Sequence, residues 1–195
     1  FIKLLSMGKL AMKLCLILAV LLGDVGISAG ADFQKGLNAA QNGDFKTALR
    51  EWEPLAEQGG VIAQYNLGHL YRQGAGVNQN NSIAARWWKL AAAQGHTIAQ
   101  YNLAVMYTKG HGVKQNYKTA IKWYRRAAES GNARAFNNLG VMYAVGAGVL
   151  KDYVYAHMWG NLASANGREN GMKLRNFIEN KMTPETIARA QNLAR

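Results

Sequence analysis

The chain has 195 residues, 23 Lys or Arg against 11 Asp or Glu, a formal net charge of +12 at pH 7, and a single cysteine. That length can bury one continuous core, and one cysteine excludes a disulfide-stapled fold, so apolar packing must hold the chain together. The positive excess favours acidic partners, and it is uneven, with nine Lys or Arg and no Asp or Glu between Gln58 and Ala128.

The chain opens FIKLLSMGKLAMKLCLILAVLLGDVGISAGAD. From Met12 onward Lys13 supplies a positive start, residues 14–22 an apolar run, and Ala29-Gly30-Ala31 a small-residue triplet ahead of Asp32. This is the layout of a secretory signal with A-x-A cleavage. The apolar run is about nine residues, where a bilayer span takes about twenty, which favours a cleaved signal over an anchor. Cys15 follows Met12-Lys13-Leu14 and lacks the small-residue box of a lipid-attachment cysteine, so it leaves with the signal. The expectation is therefore that residues 1–31 are a signal peptide with an N-terminal extension. The mature chain then begins at Asp32, is periplasmic or secreted, and has no stable membrane span.

Residues 32–62 read as a divergent first helix pair. A short helix over 32–42 turns at Gly43-Asp44, and Asp44 is placed to cap a second helix over 45–58. Ala48, Trp52 and Ala56 of that helix lie 36 residues before Ala84, Trp88 and Ala92, so it is the second helix of a unit with a shortened loop. Pro54 is expected to kink it.

Residues 63–98 and 99–134 are two copies of one unit, identical at 16 of 36 positions, and a third runs over 135–167. A period of this length with two helical stretches predicts an all-α fold, an α-solenoid of antiparallel helix pairs. Ala63, Leu67, Leu70 and Tyr71 share one face of the first helix, and Ala84, Trp87, Trp88, Ala91 and Ala92 share one face of the second. Gly68, Ala84 and Ala92 permit close approach, and Tyr71 and the tryptophans fill the space between pairs. Each unit carries Gly-x-Gly-Val, at Gly74, Gly110 and Gly146. None continues into a phosphate-binding glycine motif. The first glycine reads as a helix C-cap, with Asn80, Asn116 and Asp152 capping the helices that follow.

Ala-x-x-x-Leu-Gly-x-x-Tyr, Gly-x-Gly-Val, Ala-x-x-Trp and Ala-Ala-x-x-Gly together make residues 45–167 resemble Sel1-like repeats, a branch of the tetratricopeptide superfamily. The third copy departs from the pattern. Gly160 replaces the aromatic of Trp88 and Tyr124, and Ser164 replaces an alanine, so its second helix is expected to pack against something other than a standard repeat. Residues 168–195 read as a helical C-terminal cap, with a helix over 168–182 and a second opened by Thr183 as N-cap and Pro184 at the first helical position. The tail resembles the segment that closes secreted Sel1-like proteins.

No catalytic, cofactor or metal residues are assigned. The one Ser-x-x-Lys, Ser6 to Lys9, falls in the signal segment, so the acyl-serine arrangement is absent after cleavage. Cysteine-rich relatives of the Sel1-like family carry a β-lactamase label, but this chain lacks their paired cysteines. His69, His96, His111 and His157 do not fall at metal-ligand spacings. No acidic pair reads as an acid and base couple. The aromatics recur at core spacing and are not free to stack on bases, which argues against nucleic acid.

The functional signal is the shared register of Asn66, Asn102 and Asn138 on the three first helices. In superhelices of the tetratricopeptide type the first helices line the concave surface, and an amide there can both donate to a peptide C=O and accept from its N–H. Tyr65, Tyr101 and Asn137, with His69 and Arg72 one turn on, are candidate side-chain contacts. The alternative is that these asparagines only fix the helix pairs. The expected activity is capture of a protein or extended peptide, in envelope regulation, complex assembly or host interaction. The competing readings are an enzyme of β-lactamase-like or peptidoglycan-directed activity, and electrostatic adhesion to an acidic envelope surface through basic repeats 1 and 2.

Overall fold

In a computed structural model, which describes residues 31–194, the chain is helical from Phe33 to Leu193. The expected signal segment lies outside the described residues. Four antiparallel pairs follow one another. They are α1 (Phe33–Gln41) with α2 (Phe45–Glu57), α3 (Val61–Gln73) with α4 (Asn81–Ala93), α5 (Thr97–Lys109) with α6 (Tyr117–Glu129), and α7 (Ala133–Val145) with α8 (Tyr153–Ala165). α9 (Glu169–Glu179) and α10 (Pro184–Leu193) close the stack, α9 against α8 and α7, α10 against α8. α3, α5 and α7 begin two residues ahead of Ala63, Ala99 and Ala135; the period is unchanged and only the point at which the unit is cut differs.

Local chemistry sets these boundaries. Asp44, Asn80, Asn116 and Asp152 each accept from backbone N–H groups of the first turn they precede, at 2.8–3.1 Å. Those groups have no intrahelical partner, so each cap satisfies an otherwise orphaned donor. α3, α5 and α7 end at Gly74, Gly110 and Gly146, all left-handed with φ of 71–75°. Pro54 is accommodated inside α2, which continues to Glu57.

Within the first two pairs a glycine on the first helix receives an aromatic from the second. A side chain at Gly68 would collide with Trp88, and the Trp88 indole N–H donates to the Tyr65 carbonyl at 3.1 Å. Gly36 and Trp52 repeat that contact, with the Trp52 indole on the Phe33 carbonyl at 3.3 Å. The first pair is thus the same unit with a shorter loop. At the other end Gly160 leaves no aromatic, and Leu174 of α9 occupies the space over Gly140 instead. Gly160 lies against the Gly171 carbonyl and Arg175, so the missing side chain is what lets α9 approach.

Neighbouring pairs are joined by two devices. The second glycine of each Gly-x-Gly-Val loop lies on the start of the preceding unit's second helix: Gly76 on Phe45 and Lys46, Gly112 on Asn81 and Ser82, Gly148 on Tyr117 and Lys118. Buried Gln64 and Gln100 reach back to donate to the Ala56 and Ala92 carbonyls at 2.9 and 3.2 Å. Gln64 also accepts from Gln94 at 2.9 Å, but the residue in register with Gln94 in the next unit is Ser130, too short to repeat the contact, and Gln100 Oε1 is left without a partner.

Each end of the described stack carries a buried polar group. Trp87, Trp123 and Trp159 share a register whose first-pair member is Glu51. Trp87 packs in one cluster with Ala48 and Trp52 of the preceding pair; the described residues before Glu51 place no such pair against it, and it binds Lys35 Nζ at 2.8 Å and the Asp32 amide at 3.3 Å. The Lys35 hydrogen bond holds its carboxyl below the usual carboxylate range. On the far side the buried His157 Nε2 meets Glu179 Oε1 at 2.8 Å, joining α8 to α9.

Candidate binding cleft on the first-helix face

α3, α5 and α7 lie in sequence along one side of the stack, and the aromatic floor between them comes from α4 and α6. Two cavities open there. The larger, about 460 Å³, brings together His69, Arg72, Tyr101 and Asn102 over Trp88 and Val105. The other, about 370 Å³, is lined by Tyr101, Val105, Tyr124, Asn138 and Val141. They share Tyr101, Val105 and Lys109, so they are two parts of one cleft crossing α5.

Of the eight residues singled out by pattern, five line this cleft: His69, Arg72, Tyr101, Asn102 and Asn138. Asn138 is partly committed, its Nδ2 donating to the Tyr124 hydroxyl at 3.0 Å. Asn66 and Asn102 are half-buried and make no side-chain hydrogen bond to a described residue. Asn137 is turned inward, with Oδ1 buried and unpartnered. Tyr65 is held by packing: its hydroxyl is 3.0 Å from His69 Nε2, and its ring stacks on His96 at 4.3 Å.

His96 has a role that its placement between helices concealed. Nδ1 accepts from the Ala99 N–H at 3.1 Å and so caps α5, as Asn132 caps α7 one repeat later. A backbone N–H can only donate, so Nδ1 must stay unprotonated. Burial pushes His96 below the ordinary histidine value of 6.5, and burial with the nearby Arg72 does the same to His69. Protons therefore bind the unfolded chain first: the contribution of these rings is full above about pH 6.5 and is lost as pH falls through their folded values. The melting temperature should be lower at pH 5.5 than at pH 7.5, and His96→Asn, which installs the residue found at 132, should reduce that drop. An equal pH slope in both proteins would contradict the cap.

Lys109, Arg134, Val105 and Val141 also line the cleft and were not singled out. A signal for three of them was available: Val105 and Val141 are one and two periods after His69, and Lys109 is one period after Gln73. Among the described residues no cluster of three His, Cys, Asp or Glu side chains could hold a metal ion, and no helix is long and apolar enough to cross a membrane.

Repeated pairs and a shared first-helix cleft define an α-solenoid repeat scaffold, an architecture consistent with protein interaction. The Sel1 repeat family model matches residues 61–96, 97–132 and 133–167, and the chain belongs to that family. Among solved structures it is similar to a Sel1 repeat protein from Oxalobacter formigenes, at 34% identity and TM-score 0.67, over 72% of this chain and 58% of that one. It is also similar to c5321, a protective antigen present in uropathogenic Escherichia coli strains, which has the same repeat fold, at 32% identity and TM-score 0.58 over 83% of this chain. The match covers 44% of c5321, so this chain spans about half the length of either protein. No functionally curated protein matches the chain.

Proposed function

We propose that the protein is an exported Sel1 repeat scaffold that captures a partner protein through an extended segment laid along α3, α5 and α7. The observation that carries this reading is the cleft itself, in which Asn102 and Asn138 recur at one register over a continuous aromatic floor. Sel1 repeats generally mediate protein–protein interaction, and spaced amides can pair with a peptide backbone without reading its sequence. Export is supported by the signal pattern and by Glu51. The nitrogen of Asp32, the first residue after the expected cleavage point, lies 3.3 Å from the Glu51 carboxylate, where a charged terminus would find a partner.

The test is to select peptides from a displayed random library on the folded protein and map the bound peptide by amide hydrogen exchange. New protection should fall on α3, α5 and α7. Protection confined to α4, α6 and α8, or to α9 and α10, would overturn the proposal.

A further inference from the structure

Three registers run along the first helices beside the asparagines, and their chemistry changes from one unit to the next. One reads His69, Val105, Val141; the next Arg72, Thr108, Ala144; the third Gln73, Lys109, Val145. The first-unit end is polar and basic, and the third-unit end is apolar. Val141, which lines the smaller cavity, and Val145, one turn on and outside both cavities, stand 42% and 67% exposed on α7. At the other end Arg72 and Lys109 line the larger cavity, Arg134 reaches it from the first turn of α7, and Lys109 also borders the smaller cavity; none of the three pairs with a described carboxylate. That cavity has no acidic lining residue.

We infer that the segment bound in this cleft is itself polarised, with acidic side chains at the α3–α5 end and apolar side chains at the α7 end. The inference rests on the cleft being the binding surface and adds the chemistry of what binds there. Unpaired cations beside an aromatic floor favour carboxylates by charge complementarity, and exposed valines favour removal of apolar side chains from water. The remaining cations of the basic stretch, Arg86, Lys89, Lys118, Lys122, Arg125 and Arg126 on α4 and α6 and Lys114 on the loop before α6, are exposed and do not line the cleft. A diffuse basic surface and a polarised cleft are therefore separable.

The probes are capped, labelled peptides of about twelve residues, enough to span roughly 40 Å when extended. Each carries a Glu block and a Leu block separated by Ser, one in each chain direction. The controls are a scrambled peptide of the same composition and a version with Gln for Glu. Fluorescence anisotropy should show one block peptide binding about tenfold or more tightly than both controls. Arg72→Gln with Lys109→Gln should remove that preference, and Lys89→Gln with Lys122→Gln on the second helices should leave it. Scrambled and block peptides binding alike, or no peptide binding, would overturn the inference. So would sensitivity to the second-helix pair alone, or binding only to anionic vesicles through that pair. Library-selected peptides that protect α3, α5 and α7 but lack acidic and apolar blocks would overturn the inference while leaving the binding surface in place.

Discussion

Gly112→Ala is expected to lower the melting temperature by about 6–12 °C, the shift that roughly 3 kcal/mol produces in a protein of this size. Two effects add. Gly112 has φ of +71°, which an alanine adopts at a cost of about 1–2 kcal/mol. Its new methyl would also collide with the Asn81 and Ser82 backbone, which cannot rotate away as a flexible side chain can. Gly131→Ala is the control, because Gly131 shares the positive φ of 79° but has nothing within 4 Å of an added methyl. It should lose about 1 kcal/mol. Because Gly112 joins unit to unit, its replacement should also broaden the transition as the pairs uncouple. Equal losses in the two variants, measured by thermal melting followed by circular dichroism, would show that the loop contact does not hold the units together.

Trp88→Ala should cost about 3–5 kcal/mol, the usual loss for a large core aromatic. Trp88 is 2% exposed, seated on Gly68, and bonded through its indole N–H to the Tyr65 carbonyl. The glycine makes the site hard to repair, since Gly68 itself has no side chain to move into the void. Denaturant unfolding checks this, and a loss under about 1 kcal/mol would mean that the helices of a pair collapse together without the aromatic.

The repeat made most of this architecture readable in advance. Recurrence separated the stacking positions Leu67, Ala84 and Trp88 from the turning positions Gly74 and Asn80. The departure at Gly160 announced a different neighbour, and α9 is that neighbour. What stayed hidden involves contacts between residues far apart in the chain. The second glycine of each loop looks like turn chemistry until the preceding helix is seen against it. Glu51 reads as a surface acid until its register with Trp87 and its bond to Lys35 are set side by side. His96 and Tyr65 are 31 positions apart, and no local pattern shows that one stacks on the other while capping α5.

The cleft was partly legible for the same reason. Period alone found the asparagines and the aromatic at 101, because a repeated residue stands out. It passed over Lys109 and Val141 because those registers change from unit to unit. In a repeat protein the constant positions maintain the stack, and the varied positions along a shared cleft are where units acquire different chemistry.

The central claim is that the asparagine register binds a partner and does not merely brace the helices. It is tested most directly by comparing Asn102→Ala, the cleft asparagine without a side-chain partner, with the unchanged protein, in the same preparation, for melting temperature and for affinity toward library-selected peptides. The Asn102 side chain bonds to no described residue, so the melting temperature should move by less than about 3 °C, the shift of roughly 1 kcal/mol, while affinity falls about tenfold, as the loss of an amide that both donates to and accepts from a peptide backbone requires. A large drop in melting temperature with affinity intact would contradict the account.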